Sequence, residues 1–181
     1  MEIIDEYTQL EPPHEINKFG DQIWYKDGKR HREDGPAVIY ANGTQHWFKD
    51  GKRHREDGPA AILSNGTQYW YKDGKRHRDD GPSIIRSDGD QYWYKDGKKH
   101  RDDGPAVIYA DGSQIWYKEG RLHRDDGPAM ILSNGDQYWF KDEIDISNDV
   151  TQWAEQCNID LDNMSDSDKL LLKIFINSIG E

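Results

Sequence analysis

The sequence has little of several things that define common classes of protein. Its single cysteine, Cys157, excludes an internal disulfide and a four-cysteine zinc site. It contains no run of about 18 or more apolar residues, so a transmembrane helix is not expected. The first residues, MEIIDEYTQLEPP, show no basic region followed by an apolar run, so a signal peptide is not expected either. These absences predict a cytoplasmic protein, in the host cytoplasm if the source is viral.

Aliphatic residues are also scarce relative to charge. Hydrophobic residues make up 34% of the 181 residues and charged residues 33%, a balance that by itself hints at disorder. Disordered segments are poor in aromatics, however, and this chain has 7 Trp and 10 Tyr. The composition therefore predicts a folded chain whose buried surface depends on aromatic side chains.

The net charge of −11 is unevenly distributed. Residues 22–140 are nearly balanced, with 20 basic and 19 acidic side chains, whereas residues 1–21 and 141–181 are strongly acidic. A chain without a basic face is a poor candidate for binding nucleic acid or anionic lipid. The charge distribution favours a partner protein with a basic surface.

One pattern recurs along the chain at a fixed step of 23 residues. Its second complete copy is QHWFKDGKRHREDGPAAILSNGT, residues 45–67, and copies begin at Gln22, Gln45, Gln68, Gln91, Gln114 and Gln137. Five copies are complete, and the sixth stops at Asp142. A fixed period of this length indicates a repeat architecture in which each unit buries apolar surface against its neighbours.

Each copy shows the signals of two β-hairpins. Segments 37–41 and 44–49 are β-prone and flank Asn42-Gly43, a strong two-residue hairpin signal. Asp50-Gly51 is a second tight-turn signal, which places His54 across from Trp47. The hexapeptide His-Arg-Glu/Asp-Asp-Gly-Pro that follows predicts a corner leading into the next strand.

A two-residue turn at Asn42-Gly43 fixes the register of the first hairpin. It pairs Val38 with Trp47 and Ile39 with His46, and in later copies Ile62 with Tyr69, Ile85 with Tyr92, Ile108 with Ile115, and Ile131 with Tyr138. Since alternate side chains share a face, one face carries Val38, Tyr40 and Trp47, and the other Ala37, Ile39, His46 and Phe48. Both faces are partly apolar, so curvature, a terminal helix, a second subunit or a partner must cover one of them.

Two sets of positions do not vary between copies, and we interpret both as structural. The first is a ladder of Trp24, Trp47, Trp70, Trp93, Trp116 and Trp139. The second consists of His31, His54, His77, His100 and His123, which begin the corners. We expect the Trp side chains to form the core of the sheet, Arg to pair with the acids along the ladder, and His to pack on Trp.

The repeat resembles the MORN repeat family, including its bacterial MORN-like branch. The matching features are the aromatic strand Tyr69-Trp70-Tyr71, the turn Gly74-Lys75-Arg76-His77 and the later turn Asp88-Gly89. The family usually has Gly-x-Gly after its His, whereas this chain has the longer Arg-Glu/Asp-Asp-Gly-Pro. The resemblance covers residues 22–142 and implies a hairpin-repeat fold that acts as a scaffold or interaction surface. Similar repeats occur in phage, large-virus and bacterial antitoxin-like or immunity-like proteins.

The fold expected is an elongated antiparallel β-hairpin meander, MORN-like, with a small α-helical C-terminal cap. Residues 1–21 form an acidic N-terminal cap or arm, in which Ile3, Ile4, Tyr7 and Leu10 make a short apolar face. Residues 22–142 form the array, and residues 143–181 the helical cap. In the cap we predict a last strand at 143–146, a helix over 150–157 capped by Ser147, Asn148 or Asp149, and a helix over 169–179 capped by Ser165 and Asp168. The last helix is apolar on most sides, which predicts that it is buried against its own sheet or against another chain.

Several motifs resemble chemical sites without forming one. His-Arg-Asp-Asp lacks the other elements of a kinase catalytic loop. A row of His and Asp ligands for a metal has Arg between each pair, which favours ion pairing instead. Stacking of nucleobases or sugars on the Trp ladder is less expected than a core role, and Cys157 has no activating base near it in sequence. We expect no cofactor, no metal and no enzymatic activity.

The function predicted is non-enzymatic binding of a protein, as an inhibitor or antitoxin-like protein that occludes a basic target. The alternative is a structural scaffold or self-assembling homodimer. The residues that vary at one strand position, together with two on the last helix, are the predicted binding residues: Tyr40, Leu63, Arg86, Tyr109, Leu132, Phe175 and Ile179.

Overall fold

The computed structural model describes residues 11–179, so the predicted apolar face of Ile3, Ile4, Tyr7 and Leu10 lies outside the described residues. Backbone contacts divide the chain into two compact units, Met1–Lys75 and Arg76–Glu181. Each unit consists of repeated antiparallel β-hairpins, and the second unit ends in two helices. The predicted fold class, an all-β hairpin repeat with a small helical C-terminal cap, is confirmed.

In each unit, two-residue strands pair in chain order to form an antiparallel sheet. In the first unit these strands are Glu15–Ile16, Gln22–Ile23, Val38–Ile39, Gln45–His46, Ala61–Ile62 and Gln68–Tyr69. In the second unit they are Ile84–Ile85, Gln91–Tyr92, Val107–Ile108, Gln114–Ile115, Met130–Ile131 and Gln137–Tyr138.

Each copy also has a second hairpin, which we call the tip hairpin. Two of these hairpins lie in the first unit: Tyr25–Lys26 with Lys29–Arg30, and Phe48–Lys49 with Lys52–Arg53. Three lie in the second unit: Tyr94–Lys95 with Lys98–Lys99, Tyr117–Lys118 with Arg121–Leu122, and Phe140–Lys141 with Ile144–Asp145. The strands Tyr71–Lys72 and Lys75–Arg76 lie at the boundary between the units.

The two-residue turn of the tip hairpin is confirmed. Asp50 and Gly51 have φ values of 50° and 81°, as a type I′ turn requires at both central positions. Because Phe48 pairs with Arg53, the next pair is Trp47 with His54, whose N–H donates to the Trp47 carbonyl at 3.3 Å. Gly51 N–H donates to the Arg30 carbonyl of the preceding copy at 2.9 Å, so successive tip hairpins are joined.

The predicted register at Asn42-Gly43 is wrong by one residue. Val38 pairs with His46 and Ile39 with Gln45. The later copies are shifted in the same way, with Ile62 opposite Gln68, Ile85 opposite Gln91, Ile108 opposite Gln114, and Ile131 opposite Gln137. A one-residue shift changes which side chains share a face. Val38, Tyr40, His46 and Phe48 therefore lie together, on the opposite side from Trp47.

The geometry of the loop explains this error. Tyr40 N–H donates to the Thr44 carbonyl and Gly43 N–H to the Tyr40 carbonyl, both at 2.9 Å, which closes a three-residue loop. Only Gly43 has a positive φ, 86°, while the Asn42 side chain accepts from Thr44 N–H at 2.9 Å. This is a type I turn followed by a left-handed glycine, the next most common hairpin connection after the two-residue turn.

The most buried position of each copy is the small residue that follows the corner proline. It has no exposed surface in any copy: Ala37, Ala60, Ser83, Ala106 and Ala129. Its carbonyl accepts the N–H of the preceding tryptophan in four copies, for example from Trp24 to Ala37 at 2.9 Å. The Trp ladder itself is buried at its two ends, Trp24 and Trp139, and half-buried between them.

The helical cap begins after the predicted last strand, which is confirmed as Ile144–Asp145. Helix α1 spans Ser147–Cys157, and its N-cap is Ile146 without a side-chain cap bond. The predicted capping role of Ser147, Asn148 or Asp149 is therefore wrong. Ser147 is instead the first helical residue, and its Oγ accepts from Trp139 N–H at 3.0 Å, because Ile146 is buried beside Trp139 in the core of the cap.

Helix α2 spans Asp166–Ser178, and the predicted capping box of Ser165 and Asp168 is confirmed. Its own chain covers this helix on one side only, so the predicted contact with another chain stays a prediction. Only Leu172 and Ile176 are fully buried, against Trp139, Ile146 and Val150. Its other face is open because α1 and the last strand cover one side only, and it exposes Leu170, Leu171 and Ile174.

Candidate functional site

The corner hexapeptide is organised by its arginine. In the second copy, Arg55 lies over the Trp47 ring with Cζ 4.3 Å from the ring centroid, and its Nε donates to Asp57 Oδ1 at 2.9 Å. Its Nη1 donates to the Pro59 carbonyl at 3.5 Å. The equivalent carboxylate and carbonyl bonds are made by Arg32, Arg78, Arg101 and Arg124. The prediction that these hexapeptides are corners in which Arg pairs with an acid is confirmed.

The guanidinium lies against the corner glycine, so a larger residue there would have to displace it. A Cβ on Gly58 would lie 3.1 Å from Arg55 Cζ, and a Cβ on Gly127 would lie 2.8 Å from Arg124 Cζ. The same guanidinium groups lower the pKa of the second acid of the corner by hydrogen bonding, as seen at Asp34, Asp57, Asp80 and Asp103. These carboxylates therefore remain ionised in moderately acidic solution.

The corner histidine links one copy to the next instead of packing on Trp as predicted. The backbone N–H of Asp50 donates to His31 Nδ1 at 3.1 Å. The same bond, 3.1 to 3.2 Å long, joins His54 to Asp73, His77 to Asp96, His100 to Glu119, and His123 to Asp142. In the tautomer in which Nδ1 accepts this hydrogen bond, the proton is on Nε2, which points toward the first acid of the corner.

The length of the first acid's side chain decides whether the histidine Nε2 has a hydrogen-bond partner. His77, His100 and His123 reach Asp carboxylates at 3.0, 3.0 and 2.7 Å. The first two copies have Glu, whose oxygen lies 3.5 Å from Nε2, and there Nε2 of His31 and His54 is buried without a hydrogen-bond partner.

Open clefts lie between consecutive corners. One cleft of about 830 Å³ lies between the corners of His31 and His54, and its walls include Trp47 and Lys49. Another, of about 660 Å³, lies between the corners of His100 and His123 and is bordered by Lys173 of α2. The first acids of the corners are mostly exposed but face cations, such as Glu33 with Lys26 at 3.3 Å and Asp125 with Lys118 at 3.1 Å. The clefts are therefore polar and close to charge balance.

Five of the predicted binding residues begin the three-residue loops instead of lying within a strand. They are Tyr40, Leu63, Arg86, Tyr109 and Leu132, and all but Arg86 are half-buried. Tyr40 contacts His46 edge-on, with ring centroids 5.4 Å apart, and Tyr109 contacts Tyr92 at 6.1 Å. Arg86 forms an ion pair with Asp88 at 3.1 Å. The two tyrosines are thus packed against neighbouring rings, and Arg86 pairs with a carboxylate of its own loop.

The other two predicted residues lie within the helical cap. Phe175 stacks on Trp153 with ring centroids 5.1 Å apart, and Ile179 packs against the same cluster. The exposed apolar residues of α2 are Leu170, Leu171 and Ile174, at 60%, 50% and 59% exposure. These three residues were not predicted as binding residues, because the sequence of a helix that is apolar on most sides does not show which side its own chain covers.

A second candidate face, which was not predicted from the sequence, is the one on which the Phe48 side chain lies. In the first unit, Arg30 and Arg53 lie on the Phe48 ring, with Cζ 5.6 and 5.8 Å from its centroid. The sequence signal was present, because a cation occupies this position in four of the five complete copies, as Arg30, Arg53, Arg76 and Lys99.

Two general features concern only the described part of the chain. Within residues 11–179, no three His, Cys, Asp or Glu side chains are grouped as a metal ion requires. In the same residues, no helix combines the length and the apolar composition needed to cross a membrane.

No protein-family model matches this chain, and no curated protein sequence matches it either.

Proposed function

We propose that this chain is a non-enzymatic, MORN-like repeat protein that binds another protein, in the manner of an inhibitor or antitoxin-like protein of phage or bacterial origin. It acts in the cytoplasm by occluding a target with a basic surface. The repeat array supplies the platform, and the acidic ends steer the encounter.

The observation that carries the proposal is the open apolar face of α2. Leu170, Leu171 and Ile174 are each at least half exposed, although the opposite face of the helix is fully buried. A group of exposed apolar side chains within a polar surround is the usual anatomy of a protein interface.

The acidic segment that carries this face favours a target with a basic surface. Residues 141–181 contain three lysines and ten acids, and Asp166 and Asp168 lie in the first turn of α2 itself. Carboxylates around an apolar centre raise the association rate with a positively charged partner and disfavour a negatively charged one. The same charge repels a second copy of this chain, which favours a different protein over a homodimer.

The test is capture of a target by purified protein and by surface variants. The double variant Leu171→Glu with Ile174→Glu changes exposed positions only, so it is expected to fold normally. Ser64→Glu, which adds a charge at an exposed loop of the array, is the matched control. We expect the wild type and the control to capture one target in stoichiometric amount, and the double variant to lose it.

Light scattering on the same three proteins distinguishes the scaffold alternative. A concentration-independent dimer that the double variant breaks would replace the inhibitor proposal with self-assembly. Failure to capture any stoichiometric partner from a relevant host at both low and high salt, with a monomer in scattering, would contradict both.

A further inference from the structure

Within residues 11–75, two guanidinium groups of the first unit have no carboxylate partner. Among the described residues, no Asp or Glu oxygen lies within 4.0 Å of the side-chain nitrogens of Arg30 or Arg53, although the chain carries a net charge of −11. Tyr25, which pairs with Arg30 across the tip hairpin, donates its hydroxyl proton to Glu15 at 3.0 Å. This unpaired positive charge contrasts with the corners, where every arginine bonds a carboxylate.

The two groups are held in place by an aromatic platform. Arg53 lies between Phe48 and Tyr71, with Cζ 5.8 and 5.5 Å from their ring centroids. Its Nη2 is 3.2 Å from Nδ1 of His46, a buried ring that stacks on Phe48. Arg30 lies on Phe48 from the preceding copy. His46 and Phe48 lie on either side of Trp47 in consecutive strands and their rings stack, so these side chains share one face.

His46 acts as a neutral acceptor in this arrangement. Burial first, and then the nearby charges of Arg53 and Arg30, together lower its pKa to about 4. The ring therefore stays uncharged near neutral pH and offers Nδ1 to Arg53.

The spacing of these cations matches a particular peptide conformation. Arg30 and Arg53 are equivalent residues of neighbouring copies, so they are two strand spacings, about 9.5 Å, apart along the sheet. A polyproline II helix repeats every three residues with a rise of about 3.1 Å each, so every third side chain recurs at about 9.3 Å. Proteins that bind this conformation do so on accessible aromatic rings, and here the half-buried rings of Tyr40 and Tyr71 lie beside the buried Phe48.

We propose that the Arg30–Phe48–Arg53 face of the first unit binds an extended acidic peptide in the polyproline II conformation, with Asp or Glu at every third residue. Each carboxylate accepts from one guanidinium, and the intervening residues lie on the aromatic rings. This site consists of residues of the first unit, whereas α2 belongs to the second, and it would give the protein a second, acidic partner.

The experiment uses the full chain and a labelled proline-proline-glutamate repeat peptide, with binding followed by fluorescence anisotropy. Two peptides serve as controls: an isomer of the same composition with its glutamates clustered, and a proline-proline-lysine repeat. We expect the regular acidic peptide to bind more tightly than the clustered isomer, and the lysine peptide not to bind. Added salt should weaken the binding, because the contacts are ionic.

Variants assign the site. The double variant Arg30→Gln with Arg53→Gln should weaken binding about tenfold, the order expected for the loss of one to two charge-assisted hydrogen bonds. Arg53→Lys keeps the charge and should retain most of the affinity, while Arg121→Gln, an exposed cation of the second unit that pairs with Asp142, should change nothing. Circular dichroism confirms that each variant is folded.

Three results would overturn the proposal: no binding of the regular peptide, equal binding of the clustered isomer, or equal binding by the double glutamine variant. Vesicles containing phosphatidylserine provide the last arm. If they bind through Arg30 and Arg53 while the peptide does not, the face binds a membrane surface instead. Loss of the α2-dependent target leaves these outcomes unaffected, so the two proposals fail separately.

Discussion

At the scale of the residue, side-chain length sets how well one copy is joined to the next. The corner histidine uses Nδ1 to accept a backbone N–H of the following copy, and its Nε2–H then needs an acceptor in its own corner. Asp supplies that acceptor at hydrogen-bond distance, and Glu does not. A buried donor without a partner costs about 1 to 3 kcal/mol, so a single methylene group has a measurable effect.

Exchanging the two acids tests this effect. Glu56→Asp should bring a carboxylate to the unpartnered Nε2 of His54 and raise the free energy of unfolding by about 1 kcal/mol. Asp79→Glu, the reciprocal change beside His77, should lower it by about as much. Urea denaturation of both variants measures the difference, and effects of the same sign would contradict the explanation.

His46 leads to a second prediction at the scale of the residue, which concerns how stability depends on pH. Its pKa is lowered by burial to about 4, below the ordinary value of 6.5. As pH falls below 6.5 the unfolded chain takes up a proton that the folded chain does not accept until about pH 4, so stability is lost across that window. His46→Tyr introduces the residue found at Tyr69, Tyr92 and Tyr138, and it removes this group.

Denaturation of wild type and His46→Tyr at pH 7 and pH 4.5 measures the contribution. The wild type should lose about 2 kcal/mol more than the variant on acidification, as a shift of this size implies. The carboxylates hydrogen-bonded by corner arginines titrate at lower pH in both proteins and largely cancel. An equal loss in both proteins would show that His46 is not the responsible group.

At the scale of the element, helix α2 has two faces with different roles. Leu172 and Ile176 are fully buried in the cap cluster with Trp139, whereas the adjacent Leu171 is half exposed. The cap is stabilised through one face, and the other is available to a partner. Leu172 therefore contributes to the stability of the cap, whereas its neighbour Leu171 contributes to the exposed face.

Alanine substitution separates these roles. Leu172→Ala should lower the free energy of unfolding of the cap by about 2 to 5 kcal/mol, because it leaves a cavity in a packed cluster. Leu171→Ala should change it by no more than about 0.5 kcal/mol, as expected for a surface position. Helical circular dichroism against temperature measures both. A large loss of stability in Leu171→Ala would mean that the face is already covered.

At the scale of the whole molecule, the chain is an array of similar copies. One copy can take the place of another as long as the 23-residue period is kept. Hydrogen bonds between neighbouring copies join equivalent positions, as when Ser133 N–H donates to Ser113 Oγ and Ala110 N–H donates to Asp90 Oδ1. Stability in such an array is close to a sum of copies and of interfaces between neighbours. One whole copy is therefore dispensable, provided that the phase is kept.

Deletion of residues 91–113, which are 23 residues, tests this directly. The deletion joins Asp90 to Gln114 and leaves Asp90 where it can accept from Ser133 N–H. We expect retained β circular dichroism and cooperative unfolding at a lower Tm. Deleting residues 92–113 shifts the phase by one residue and should abolish folding of the second unit, because side chains exchange faces. Equal behaviour of the two deletions would contradict the in-phase array.

Local patterns in the sequence predicted much of the fold. The 23-residue period, the Asp-Gly turn at Asp50, the corner after His54 and the capping box at Ser165 each depend on conformational preferences of a few adjacent residues. The small residue after each corner proline was also visible as Ala or Ser in every copy, although only burial revealed its importance. These features require no knowledge of what lies across the sheet.

What only the tertiary structure decided depends on contacts about one copy, or more, apart in sequence. Asn42-Gly43 is compatible with a two- or a three-residue loop, and the hydrogen bonds across the loop select the longer one. Arg55 rather than His54 covers Trp47, because His54 bonds the backbone of Asp73 in the next copy. Likewise, the amino-acid pattern made α2 apolar, but the one-sided contact with Trp139 determined which of its residues remain exposed.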